Sequence, residues 1–260
     1  MTIYDKIQII KYNDNYITAI INIKKEDINK NIKIINSFEN YHRYLLLPYY
    51  EFYNEKDIKE SCEIEINDEI IPFSYDYKFK EERQFIIKYS FNHRLKNNNC
   101  MFSDCENITE INFAKFYSRD VTNMRGLFWC CKSLININFS NFLTNNVINM
   151  AELFIGCESL KNIDLSNFNT ENAINMILMF DGCKSLISLD LSNFNYTNVE
   201  YISYMFDGCG SLKNIDLSNF NTENVINMEN IFSGCKSLKK QNVITKDEKL
   251  NRKFDNCFIY

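Results

Sequence analysis

Apolar and polar positions recur along the chain with a step of 26 residues. Leu160-Lys161-Asn162-Ile163-Asp164-Leu165-Ser166 alternates apolar and polar residues, which predicts a short strand with one buried face. Val225-Ile226-Asn227-Met228-Glu229-Asn230-Ile231-Phe232 sets apolar residues at i, i+3, i+6 and i+7, which predicts about two turns of helix. Thr222 or Asn224 stands where it would cap that helix, and Gly234 where a left-handed residue would end it. At this last slot the chain carries Asp104, Cys130, Gly156, Gly182, Gly208, Gly234 and Asn256. All but Cys130 adopt the left-handed region readily.

The period is fixed by its invariant rows. Cys105, Cys131, Cys157, Cys183, Cys209 and Cys235 are each 26 residues apart, and so are Phe102, Phe128, Phe154, Phe180, Phe206 and Phe232. Met124, Met150, Met176, Ile202 and Met228 keep the same step. One such unit cannot bury its own apolar face, so neighbouring units must cover one another. The expected fold is therefore an α/β solenoid: a leucine-rich-repeat-like, right-handed stack of strand–turn–short helix units over residues 95–260. Leu134, Leu160, Leu186 and Leu212 would form one buried row in it. A partial first unit begins at Leu95. Phe254-Asp255-Asn256-Cys257 repeats the F-x-x-C signature in a C-terminal cap.

Residues 1–94 carry no repeat. Alternation predicts strands at 7–12, 16–23, 31–36, 62–66, 71–79 and 85–91, and Asn54 would cap a short helix ending near Ser61. Pro72 places its strand at an edge. This reads as a β-rich, sandwich-like domain that caps the solenoid, with a separate recognition domain as the alternative.

The units L-x-x-I-D-L-S-N-F-N-T-x-N-V-x-N-M-x-x-M-F-x-G-C resemble the BspA-like family of leucine-rich repeat surface proteins. That resemblance covers about residues 95–257 and implies a leucine-rich-repeat-like solenoid with a role in adhesion or protein recognition.

Composition narrows the partner. The 260 residues carry a formal charge of −5, which disfavours a nucleic-acid phosphate backbone. No apolar run reaches the roughly 18 residues of a membrane span. The start, Met1-Thr2-Ile3-Tyr4-Asp5-Lys6, lacks the pattern of a signal peptide, so a cytoplasmic location is expected. The family resemblance favours the cell surface instead. The abundance of Asn is compatible with a biased genome.

Little chemistry is visible. The two histidines, His42 and His93, have no companions at ligand or catalytic spacing. No catalytic residue, metal site or cofactor is expected, and the chain reads as a non-enzymatic interaction module, with an exported adhesin or a cation-dependent structural protein built on an aspartate ladder as the alternatives. The cysteine row reads as reduced and buried, although units about 5 Å apart would also bring its Cα atoms within disulfide reach. Glu106, Lys132, Glu158 and Lys184 alternate in sign and would pair between units. Asp164, Asp190 and Asp216 form an acidic ladder on the concave face. It reads either as a strip for cations or a basic partner, or as three aspartates satisfied locally. Trp129, Ile148, Ile155, Ile174, Ile177, Leu178 and Tyr204 form an apolar strip on the helical side, read as an interface for a protein partner or a second copy. The alternative is that they pack over one another or under the N-terminal segment.

Overall fold

The computed structural model describes residues 14–41 and 53–256. The expected strand at 7–12, His42 and Cys257 lie outside the described residues. In chain order the elements are β1 (Tyr16–Asn22), β2 (Ile32–Lys33), α1 (Phe38–Tyr41), α2 (Glu55–Ser61), β3 (Cys62–Ile66), β4 (Glu69–Ile71), β5 (Asp76–Tyr77) and β6 (Gln84–Phe91). There follow β7 (Ile108–Lys115), β8 (Asn136–Asn138), β9 (Ser188–Asp190), β10 (Asn214–Asp216), β11 (Val243–Ile244) and α3 (Glu248–Asn256). One mixed sheet has the order β4-β3-β6-β1-β7-β8; β11-β10-β9 form a second sheet and β2-β5 a third.

Alternation sets the N-terminal strands. In β1, Ile17, Ala19 and Ile21 are buried, and in β6 Phe85, Ile87, Tyr89 and Phe91 are. Asn67 and Asp68 both adopt positive φ and close the tight turn between β3 and β4. Pro72 directly follows β4, the edge strand, where its missing N–H interrupts no ladder. Asn54 precedes α2 but makes no side-chain cap bond to it.

Two expectations are corrected. The strand–helix solenoid does not form. The three α-helices among the described residues all lie outside the predicted helical halves, which are chains of turns. The sheets are separate, the largest of them is mixed, and residues 160–165 form no strand. Nor is the N-terminal part a sandwich. Its strands β1, β3, β4 and β6 belong to the six-stranded sheet, with β2 and β5 paired separately, and β1 pairs antiparallel with β7, opposing Ala19 to Ile111. β7 pairs in parallel with β8, and Ile111 opposes Ile137. The ring centroids of Tyr89 and Phe102 lie 5.4 Å apart, so one core runs across residue 94.

The helix is lost because alternate amides face the neighbouring unit. The N–H groups of Met124, Gly126, Phe128 and Cys130 donate to the carbonyls of Asn149, Ala151, Leu153 and Ile155 at 2.8–3.1 Å. Between them run tight turns, such as Leu127 N–H to the Met124 carbonyl at 3.2 Å. An α-helix would need those amides for its own i−4 carbonyls. Each unit instead places two residues four apart in the left-handed region, for example Leu178 (φ 58°) and Gly182 (φ 68°). The left-handed slot predicted from the sequence is real at Asp104, Cys130, Gly156, Gly182, Gly208 and Gly234. Asn256 lies in α3 instead. Single parallel bridges link Asn97, Asn123, Asn149, Asn175, Tyr201 and Asn227 in succession.

The invariant rows fill the interior. From Phe102 to Phe232, neighbouring rings lie 5.4–6.1 Å apart and within 19° of parallel. Leu134, Leu160, Leu186 and Leu212 are fully buried. The first unit turns carbonyls toward the N-terminal segment, where two buried asparagines meet them. Asn54 Nδ2 donates to the Asn99 carbonyl at 2.8 Å and to that of Asn97 at 3.5 Å. Asn36 supplies its backbone N–H to Met101 at 2.6 Å and its Nδ2 to Ser103 at 3.0 Å.

Candidate interaction surface

A shallow groove of about 520 Å³ crosses four units and is lined by Thr122, Asn146, Ile148, Asn172, Ile174, Asn198 and Glu200. Two rows build it. Thr122, Ile148, Ile174 and Glu200 occupy one slot, and each of the last three donates its N–H to the carbonyl one unit earlier at 2.9–3.0 Å. Asn146, Asn172 and Asn198 occupy the other. Their Nδ2 atoms donate to the carbonyls of Arg119, Asn145 and Glu171 at 2.7–2.8 Å. The side-chain nitrogens are thus committed to the fold, and these asparagines line the groove beside two isoleucines. Ile148 is 47 % exposed, which for a large aliphatic side chain marks it as open to a partner.

Of the seven predicted strip residues, the groove unites Ile148 and Ile174. Trp129, Ile155, Ile177, Leu178 and Tyr204 are half-buried on neighbouring turns rather than on helices. Leu178 and Tyr204 occupy the slot filled elsewhere by Gly126 and Asn230, and both keep its left-handed backbone, with φ of 58° and 59°. Nearby, Arg125 grips the carboxylate of Glu152 with two bonds, at 2.9 and 3.0 Å.

Asp190 and Asp216 oppose one another across β9 and β10, whereas Asp164 lies outside any strand. Each Oδ1 accepts the backbone N–H two residues on, from Ser166, Ser192 and Ser218, at 2.9 Å. The bonds from Ser166 and Ser192 hold Asp164 and Asp190 below the ordinary carboxylate range. Asn112 and Asn138 make the same bond in earlier units, to Ala114 and Ser140. The row therefore builds a recurring turn, and no group of three or more metal-binding side chains is assembled among the described residues.

The nine described cysteines are free thiols. In the repeat row, Cys131, Cys157, Cys183, Cys209 and Cys235 each direct Sγ at a phenylalanine carbonyl of the preceding unit, 3.0–3.2 Å away. Burial pushes Cys131, Cys157, Cys183 and Cys209 well above the usual thiol range, which opposes thiolate chemistry. The alternating charges meet at the surface, where Lys132 reaches Glu106 at 2.6 Å and Lys184 reaches Glu158 at 2.8 Å. His93 is half-buried, with Nδ1 3.2 Å from the Arg94 carbonyl.

Sequence reasoning missed the asparagines. Thr222 and Asn224 are not helix caps: Thr222 Oγ1 donates to Asp247, and Asn224 Nδ2 reaches the Thr197 carbonyl at 2.7 Å, as Asn141, Asn167 and Asn193 reach carbonyls one unit back at 3.0–3.2 Å. Their fixed 26-residue step was the available signal.

The family described as Mycoplasma protein of unknown function, DUF285, matches residues 96–188 and 135–247. The two matches overlap and together span more than half of the chain, which therefore belongs to this family. Matching twice along one chain accords with a repeated unit. No curated protein and no solved structure matches the chain. No helix among the described residues is long and apolar enough to cross a membrane.

Proposed function

We propose that this chain is a non-enzymatic protein-binding module that presents the outward slots of its 26-residue units to a partner protein. One contrast carries the reading. The inward Phe, Cys and Leu rows are nearly invariant, whereas the outward slot of the groove runs Thr122, Ile148, Ile174, Glu200, Ile226. Exposed isoleucines at 148 and 226, in a slot that also takes Thr122 and Glu200, are what a recognition surface requires.

The test is capture of source-cell proteins on the immobilised chain, beside an Ile148→Asn, Ile174→Asn variant. The module reading expects a defined partner whose recovery falls at least tenfold on the variant. Equal recovery on both chains would contradict it. The finer resemblance, to BspA-like surface proteins, narrows the reading to adhesion. Protease shaving of intact cells tests that step, with digestion from outside expected for an adhesin and protection until lysis expected for a cytoplasmic adaptor.

A further inference from the structure

The turns that carry Leu178 and Tyr204 hold two features that the interior does not use. The first is a pair of aspartates at one slot of neighbouring units, Asp181 and Asp207. Asp181 Oδ1 lies only 3.7 Å from the position a Cβ would take on Gly208, and Asp207 Oδ1 lies 3.4 Å from that position on Gly234. Each carboxylate therefore leans over the glycine of the next unit, with its charge held close to the chain. Neither has an ion-pair partner among the described residues. Burial and the Asp207 carboxylate push Asp181 up to about 6. A pair of like charges at adjacent slots is relieved when one cation sits against both.

The second feature lies three residues before each aspartate. Leu178 and Tyr204 occupy left-handed backbone that glycine or asparagine adopts with less strain, and Gly126 and Asn230 do so in the same row. Both side chains stay half-exposed, and Ile177 is half-exposed beside Leu178. In the same row as Ile177, the Ser203 hydroxyl is buried with no hydrogen-bond partner. The strip thus offers apolar contact at Ile177, Leu178 and Tyr204, bordered by unpaired negative charge.

We infer that the strip Ile177, Leu178 and Tyr204 with Asp181 and Asp207 receives a short basic–apolar segment of a partner protein, one Lys or Arg of which lies against both carboxylates. The occupant follows from charge complementarity: the two aspartates repel each other and lack a cation in this chain, and the apolar row beside them fits a neighbouring aliphatic or aromatic side chain. The inference rests on the binding-module reading and adds to it the chemistry of the partner.

Selection of a random twelve-residue peptide display library against the full chain tests it. Enriched peptides are expected to carry Lys or Arg beside Leu, Ile or Phe. By fluorescence anisotropy they should bind Asp181→Asn, Asp207→Asn at least tenfold more weakly than the unaltered chain. Leu178→Asn with Tyr204→Asn should also lose at least tenfold, because asparagine keeps the left-handed backbone, as Asn230 does, and removes only the apolar contact. Acidic consensus peptides, no enrichment, or unchanged affinity on either variant would overturn the inference. None of those results touches partner capture on the Ile148→Asn, Ile174→Asn chain, which decides the broader reading separately.

Discussion

Thr170 Oγ1 donates to the Asn195 carbonyl at 2.9 Å and accepts the Asn195 backbone N–H at 2.7 Å. One hydroxyl thus satisfies both backbone groups of a residue in the next unit. Thr144 does the same for Asn169, at 2.8 and 2.7 Å. At Thr222 the chain changes partner, and both its N–H and its hydroxyl donate to Asp247 Oδ2 at 2.8 Å, just before α3. Replacing Thr170 by Val keeps the shape and orphans both groups of Asn195. The expected loss is about 1–3 kcal/mol in urea unfolding, with Thr170→Ser largely neutral. A Val variant as stable as the parent would show that the row is incidental.

The same slot holds Tyr196, which breaks the row. Its hydroxyl is buried with no partner, while its ring lies 4.3 Å from that of Phe220. The ring contributes and the hydroxyl does not. Tyr196→Phe is therefore expected to be neutral or to stabilise by about 1 kcal/mol. Thermal melting checks it, and a clear drop in Tm would reveal a partner for the hydroxyl.

Asn36 and Asn54 close the N-terminal end of the repeats. Removing either side chain leaves buried carbonyls unsatisfied, so Asn36→Ala or Asn54→Ala should each lower stability by about 1–3 kcal/mol. Hydrogen exchange should rise first in residues 97–104, next to the lost cap. Exchange rising uniformly along the chain would argue against a capping role.

Stability should respond to pH through Asp181. Its folded value of about 6 exceeds the ordinary 3.8, so the folded chain retains a proton that the unfolded chain releases. Its contribution is full below about pH 4 and is lost as pH rises toward 6. Because the group is about half exposed, screening limits the effect to about 1 kcal/mol. Asp164 and Asp190 act oppositely, since their lowered values make their contribution vanish as pH falls below the ordinary 3.8. Melting curves of Asp181→Asn should lose the slope between pH 4 and 6, and an unchanged slope would place its origin elsewhere.

The repeat thiols should be inert while the chain is folded. Cys131, Cys157, Cys183 and Cys209 are buried and lifted well above the usual thiol range. Iodoacetamide at pH 8 should leave all four unmodified by peptide mapping, and urea should expose them together. Rapid labelling of any one without denaturant would contradict this assignment.

The sequence made the period legible because its interior Phe, Cys and Leu rows barely vary, and it made β1, β3 and β6 legible because Ile17, Ile64 and Ile87 lie in clean alternations. It misled on the second half of the unit for a geometric reason. Turns that repeat every four residues space Met228, Ile231 and Phe232 much as a helix does, and nothing in that spacing reveals that alternate amides face the next unit. The sandwich was misread because pairing between β1 and β7, a long-range register, leaves no local mark. At the surface, Ile148 and Ile174 were visible as apolar residues at polar slots. The asparagine rows beside them were hidden inside a composition that a biased genome would also produce.

The central claim is that the groove of Ile148 and Ile174, not the exposed sheet face, meets a partner. Photo-crosslinking tests it most directly, with benzoylphenylalanine placed at Ile148 in the groove or at Asn214 on the exposed face of β10. The account predicts one discrete protein adduct from position 148 and none from position 214. No adduct from position 148, or the same adduct from both positions, would contradict it.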